Sequence, residues 1–452
     1  MERTSELKDF QKKLALMAEE NNKIPPYLHL KYNTKRGLRD ANGAGVLVGL
    51  TEIGDVHGFI IDEGEKIPDH GRLLYRGINI KDIVEGFASD GRFGYEETCY
   101  LLMFGDLPDK DDWTFFCDYL KELRELPDGF TEDMILKAPS HNVMNKLARG
   151  VLALYSYDQN PDDISVANVL RQCVQLIARM PILAAYGYQA KSHYYDNKSL
   201  YLHMPDPKLS TAENFLSMIR KDRKYTQIEA ELLDLALVLH AEHGGGNNSA
   251  FTTHVVTSSD TDTYSAIAAA IGSLKGPKHG GANIKVCEMM EDMKEKVGDW
   301  KDDDEVSAYL TKLLNREAYD GMGLIYGLGH AVYTLSDPRA VLLKEKAREL
   351  AQKSGRVDEF TLYEKVAELG PQVFADVKKV QNALAPNVDF FSGFVYSSLN
   401  IPTDLYTPLF AISRITGWSA HRIEELISGG KIIRPAYRSV VKQRGYIPLT
   451  ER

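Results

Sequence analysis

Apolar residues run almost all the way round the stretch "EAELLDLALVLHAEH" (229–243) when it is wound at 3.6 residues per turn, which predicts a helix buried on every side. "DDDEVSAYLTKLLN" (302–315) has a different pattern. Aspartates sit where the positive end of a helix dipole favours them, and Val306, Leu310, Leu313 and Leu314 share one face, so a one-sided helix is expected. The alanine-rich "YSAIAAAIGSLK" (264–275) predicts a third helix, which ends abruptly at "GPKHGGAN" (276–283). Strand-like alternation is scarce. Its best candidate is "GVLVGLTEIGDVHGFI" (45–60), short pieces broken by glycines. The pattern predicts a mainly α fold with a minor β element near the N-terminus. The charged stretch "KEKVGDWKDDDE" (294–305) reads as a solvated loop before a helix inside a second domain.

Composition narrows the class. A chain of 452 residues has room for a large domain carrying a smaller one, and 44% hydrophobic with 26% charged residues is ordinary for a globular protein. The 54 basic against 64 acidic residues give a net charge of -10, and no basic block is interleaved with aromatics, so nucleic acid is not an expected partner. Cys99, Cys117, Cys173 and Cys287 form no CxxC pair, which fits a reducing compartment. The N-terminus mixes acidic and basic residues without an apolar core, and no apolar run reaches 18 residues. A cytoplasmic location without membrane association is expected.

Candidate chemistry is concentrated late in the chain. His240, His243, His254 and His279 fall within a short span, and the three-residue spacing of His240 and His243 at a predicted helix end would put both on one side. No HExxH, HxxEH or nearby cysteine accompanies them, so hydrogen bonding is the preferred role and no metal is expected. "GLGHAV" (327–332) starts like a dinucleotide fingerprint but lacks its third glycine, and "GPKHGG" (276–281) lacks the ending of a phosphate-binding P-loop. What remains is a set of residues in glycine-, proline- or asparagine-marked contexts: His243, His279, His330, Arg339, Asp389, Arg414 and Arg434. Three imidazoles, three guanidiniums and a carboxylate suit a dianionic substrate and a proton abstraction.

Taken in order, "HAEHGGGN", "GPKHGGAN", "GLGHAVY", "DPRA", "PNVD", "SRITGW" and "RP" resemble the citrate synthases of the Si type, and the likeness extends through "GRLLYRGINIKDIVEG", "GYEETCYLLMFGDLP" and "LSTAENFLSMI". The resemblance implies a two-domain helical homodimer, with a large domain over 1–280 to which 401–452 returns and a small domain over 281–400 that closes on the substrates. It implies condensation of acetyl-CoA with oxaloacetate and hydrolysis of the resulting citryl-CoA to citrate and CoA, with acetyl-CoA as co-substrate and no permanently bound cofactor. Asp389 would take the methyl proton, His279 would hydrogen-bond the thioester oxygen, and His330 would donate to the ketone oxygen of oxaloacetate. His243, Arg339, Arg414 and Arg434 would hold the carboxylates, Arg434 coming from the partner subunit. For CoA the likeness points to backbone groups at Gly327 and Gly329 and to Asn387.

These residue types match that chemistry. A proton alpha to a thioester is weakly acidic, so a carboxylate removes it efficiently only if the charge growing on the oxygen is stabilised at the same moment. Arginine's planar fork matches a carboxylate through two hydrogen bonds. Ala331 stands where many bacterial relatives carry an arginine, and Lys275, Lys278, Lys344 or Arg76 are the alternative contacts for the CoA phosphates. Two further readings are a 2-methylcitrate synthase using propionyl-CoA and a non-catalytic CoA- or dicarboxylate-binding regulator. A metal-dependent hydrolase built on His240 and His243 ranks third.

Overall fold

The interior is organised around two helices that are buried over most of their length. A computed structural model describes residues 2–40, 44–62, 65–330, 332–380 and 384–451. The chain divides into two compact units, residues 1–50 and 51–452. The first contains the helices Glu2–Asn21 and Pro26–Lys31. The second holds the sheet, the remaining α-helices and all the candidate site residues.

In the second unit, the all-round apolar stretch forms the helix Gln227–His240, which starts on a capping box between Thr226 and Glu229 and is buried from Leu232 to His240. Asp234 is the one carboxylate in that buried run, and it accepts the Gly94 and Tyr95 N–H groups at 2.6 and 3.2 Å, tying in the start of the helix Tyr95–Phe104. The longer helix Tyr406–Ile427 is buried at every position from Tyr406 to Ile423. It packs against Gln227–His240, Val166–Asp196 and Asn248–Thr257, so it is the axis of the core. The one-sided helix forms as Asp303–Leu314, with Asp302 capping the N–H groups of Asp304 and Glu305, and all four predicted apolar positions are buried. Residues 297–302 form the predicted loop before it.

The β element is a three-stranded antiparallel sheet: β1 Gly54–Asp62, β2 Glu65–Tyr75 and β3 Ile78–Asn79. It starts later than the alternation of 45–60 suggested, and β2 was not anticipated from its pattern. Glycines obscure the pattern because they are needed for close approach. A Cβ at Gly71 would lie 2.7 Å from the Tyr333 ring and 2.9 Å from Pro338, and one at Gly58 would lie 2.7 Å from the Val332 carbonyl oxygen. The hairpin therefore sits directly against the segment that carries His330 and Arg339.

All four cysteines are unpaired. Among the described residues no helix is long and apolar enough to cross a membrane.

Two helices meet at Gly417, where an added Cβ would lie 2.5 Å from the Ala241 carbonyl oxygen and would overlap the Glu242 carboxylate. Gly417→Ala is expected to destabilise the protein by about 1–3 kcal/mol through overpacking. Chemical denaturation of the two proteins side by side checks this, and an unchanged midpoint would contradict it.

Candidate active site

His243 lies just beyond a helix end. The helix stops at His240, and Gly244 takes a positive φ of 78° to start the following turn. The expectation that His240 and His243 share one side of a helix therefore fails. The helix ends at His240, three residues before His243, and the two rings part company. His240 packs on Phe410 with centroids 4.6 Å apart, whereas His243 meets His330 edge-on at 5.0 Å.

The segment 327–333 presents His330. Its Nδ1 accepts the backbone N–H groups of Val332 at 3.0 Å and Tyr333 at 3.2 Å, which assigns the ring proton to Nε2 and makes that nitrogen the donor. The Tyr333 ring stacks on His330 at 4.8 Å, and the Arg339 guanidinium lies 5.7 Å from the Tyr333 centroid. Arg339 is held by Asp337 through Nε at 3.0 Å and Nη2 at 2.8 Å, both side chains being buried. The "DPRA" motif explains this locally: Asp337 caps the helix Pro338–Ser354 and Pro338 occupies its first turn. Asp337 also accepts the Val388 N–H at 3.2 Å, so one carboxylate sets Arg339 and the start of the helix bearing Asp389.

Asp389 is the second residue of the helix Val388–Ser398, whose cap is Asn387. Asn387 accepts the Asp389 N–H at 3.0 Å and donates its side-chain amide to the Gly329 carbonyl at 2.9 Å, while its own N–H reaches the Gly327 carbonyl at 2.9 Å. Gly327 and Gly329 both adopt positive φ, at 81° and 91°. The predicted base and the predicted CoA-binding loop are thus locked together. Burial pushes the Asp389 carboxyl up to about 6 against the pull of Arg339, with Asp337 adding to the rise and Arg414 opposing it.

His279 sits in the turn after the helix Thr263–Leu274, as the sequence pattern predicts. The glycines beside it serve chain packing. A Cβ at Gly280 would lie 2.5 Å from the Leu274 carbonyl oxygen, and the Gly280 carbonyl accepts the Thr407 hydroxyl at 3.0 Å. His279 Nε2 lies 3.0 Å from Ser249 Oγ, which also accepts the Trp418 indole N–H at 3.0 Å. Burial, helped by Arg414, lowers the His279 pKa to about 4, so the ring is neutral at physiological pH.

Arg414 is the sharpest feature. It is fully buried on the central helix, its Nε donates to the His240 carbonyl at 2.7 Å, and its Nη1 and Nη2 have no hydrogen-bond partner among the described residues. Arg422, eight residues on along the same helix, is equally buried, yet its three nitrogens donate to Thr263 Oγ1, Thr257 Oγ1 and the Thr261 carbonyl. Desolvation pulls the Arg414 pKa down to about 10, which leaves it charged. His243 is held well below its ordinary value by burial first and then by Arg339, His330, Arg414 and His240. These groups form one electropositive cluster with neutral imidazoles.

Arg434 is not brought to this cluster. It lies exposed in a stretch, 429–448, that has no regular structure. Among the suggested phosphate contacts, Arg76 donates Nε and Nη2 to the Leu102 carbonyl, Lys344 pairs with Glu364 at 3.1 Å, and Lys275 and Lys278 are exposed. Ala331 lies outside the described residues. Sequence reading missed Tyr333, Asp337, Ser249, Trp418 and Phe410. Only Asp337 had a local signal, the Asp-Pro pair that opens a helix.

Replacing Asp337 by Asn would leave Arg339 buried without its counter-charge. Breaking a buried pair in this way costs about 3–5 kcal/mol, so Asp337→Asn should unfold at distinctly lower denaturant than the parent, and an unchanged midpoint would contradict the assignment.

A sequence profile described as "Citrate synthase, C-terminal domain" matches residues 42–436. A citrate synthase of Corynebacterium glutamicum is 35% identical over 85% of this chain and 84% of its own length. A 2-methylcitrate synthase of the same organism is 31% identical over 85% and 94%. In three dimensions the chain resembles the citrate synthase of Thermoplasma acidophilum, solved as a ternary complex with carboxymethyl coenzyme A and oxaloacetate, with a TM-score of 0.74 at 28% identity over 93% of this chain and 99% of that one. Matched over most of its length in sequence and in fold, this chain belongs to the citrate synthase family of condensing acyltransferases.

Proposed function

We propose that this enzyme condenses acetyl-CoA with oxaloacetate to citrate and CoA, the entry reaction of the tricarboxylic acid cycle, and that it works in the cytoplasm. The observation that carries the reading is Arg414, a buried guanidinium whose two terminal nitrogens lack a partner among the described residues. A buried cation in that state calls for a carboxylate, and the planar Nη1 and Nη2 pair would grip one in two hydrogen bonds. Arg339 and His243 supply further donors for a dianionic substrate. Arg434 would complete the set from a second subunit, and its exposed position in 429–448 fits such a reach.

In the proposed reaction Asp389 removes a methyl proton from acetyl-CoA. With its pKa near 6 it is ionised at neutral pH and still basic enough to accept that proton. Negative charge moves to the thioester oxygen, where neutral His279 donates a hydrogen bond. Ser249 favours this role: if its hydroxyl donates to Nε2, the imidazole proton resides on Nδ1 and is available to the thioester. The enol carbon then attacks the ketone of oxaloacetate while His330 Nε2–H donates to the ketone oxygen. Water hydrolyses the thioester of citryl-CoA and releases CoA. No metal and no permanently bound cofactor takes part. Gly327, Gly329 and Asn387 would line the path of the CoA arm.

Closure of a small domain, 281–400, onto a large one, 1–280 with 401–452, would exclude water until condensation is complete. His243 would then lie on one body and His330, Arg339 and Asp389 on the other, so oxaloacetate would bridge both. Calorimetry should show acetyl-CoA binding more tightly once oxaloacetate is present. Equal affinity with and without it would remove the closure model.

The 31% identical 2-methylcitrate synthase supports a second reading in which propionyl-CoA is the acyl donor. One methylene is worth only about 1–3 kcal/mol in a pocket. A thiol-release assay with oxaloacetate and either acyl-CoA separates the two. Faster turnover of acetyl-CoA supports the first reading and a propionyl-CoA preference the second. Asp389→Asn should lower kcat by roughly 10²–10⁴-fold. Because protonated Asp389 cannot act as a base, kcat/KM should rise with pH through about 6 and level off above it. Absence of that acidic limb would contradict the assignment of the base.

A further inference from the structure

Behind the turn that presents His243, the fold buries a second group of titratable side chains that the reaction does not use. His254, from the helix Asn248–Thr257, faces His421, from the helix Tyr406–Ile427, with Nε2 and Nδ1 3.2 Å apart. Each ring's other nitrogen meets a carboxylate: His254 Nδ1 lies 2.8 Å from Glu425, and His421 Nε2 lies 2.9 Å from Glu242. Glu424, one turn beyond His421, points Oε2 at His421 Nδ1 from 3.7 Å. That oxygen is buried and makes no hydrogen bond among the described residues, while Oε1 accepts the Glu52 N–H at 2.8 Å.

The geometry restricts what can lie between the rings. If each outer nitrogen donates its proton to its carboxylate, the two facing nitrogens both carry lone pairs at 3.2 Å. Two lone pairs at that distance repel unless a cation lies between them. In the metal-free protein that cation is one shared proton. Accordingly, His421 is driven up to about 9, burial being outweighed by Glu242 and Glu424, and His254 is driven down by burial and by His421 against the pull of Glu425 and Glu424. Arg414 faces the same group from the far side of Glu242 and helps keep that carboxylate ionised.

We propose that His254 Nε2, His421 Nδ1 and Glu424 Oε2 form a binding site for a divalent cation of the Zn²⁺ class, which takes the place of the shared proton. The three ligand atoms lie within 4.8 Å of one another, and among the described residues this is the one group of three that does so. Two imidazoles and a carboxylate are ligands that Zn²⁺ accepts, with a fourth position for water. The rest of the arrangement also fits. Metal-bound histidines characteristically donate their second N–H to a carboxylate, the part played by Glu425 and Glu242. His254 and Glu425 are only partly buried, with 13% and 18% of their side chains exposed, so an ion has a way in from solvent. Glu242 adjoins His243, and Gly245 lies against both imidazoles, where a Cβ would come within 3.3 Å of each. An occupied site would therefore brace the turn that carries His243.

Zinc titrated into the full-length protein, with a chromophoric chelator as competitor, should show one saturable site per chain. Binding should weaken at least about tenfold in His254→Gln and in Glu424→Gln, and remain unchanged in the surface control His203→Gln. Proton release, measured calorimetrically in buffers of different ionisation heat, should accompany binding, and affinity should rise with pH as the shared proton becomes easier to displace. Co²⁺ in the same site should show the visible absorption of a four-coordinate ion, a signature that an indirect structural role would not produce. Circular dichroism of the metal-free variants establishes folding, and either folded variant suffices. No saturable binding, or binding that survives in a folded variant as it would for zinc held by the free cysteines, overturns the proposal.

Discussion

A guanidinium buried in the middle of the core sets the terms for the rest of this structure. Arg414 occupies a helix whose neighbours on every side are packed protein, and withdrawing that charge from water is costly unless something answers it. The fold answers one nitrogen, through the His240 carbonyl, and no more. Arg422 shows that the same helix can supply a buried arginine with a full set of oxygens. The two therefore differ in hydrogen bonding and not in burial. Burial, with the same field behind it, keeps His243 and His279 neutral, so they are suited to donate hydrogen bonds rather than to add charge.

Order around that charge comes from short polar links rather than from the hydrophobic core itself. Asp337 clamps Arg339 and also receives the N–H at the start of the Asp389 helix, so the guanidinium and the carboxylate share one anchor. Asn387 repeats the device between the Gly327–Gly329 segment and Asp389. Backbone N–H groups set the tautomer of His330. In each case a polar group of a neighbouring segment, side chain or backbone, decides where a candidate site residue is held.

Glycine has two distinct uses here. At Gly327 and Gly329 the backbone is left-handed, which other residues resist. At Gly71, Gly280 and Gly417 the reason is space, because a neighbouring chain occupies the volume of a Cβ. The glycines beside His279 belong to the second kind. They close the turn against the helix that precedes it and against Thr407.

Local physics was legible in the linear chain. Helix periodicity, the aspartate cap at residue 302, the break after Leu274 and the mainly α class all follow from interactions within a few residues, and the ordered series of motifs identified the family. Interactions between distant segments were not legible. Nothing local places Ser249 beside His279, Glu242 beside His421, or Asp337 beneath Val388, since each pair is joined only when separate helices pack. The second strand was hidden because its one glycine, Gly71, answers to a neighbour far along the chain, and the supposed shared face of His240 and His243 vanished because the helix stops at His240. Sequence determined which residues were available and how the chain would coil locally. Packing alone decided which charges were stripped of water, and therefore which carboxyl was raised and which imidazoles stayed neutral.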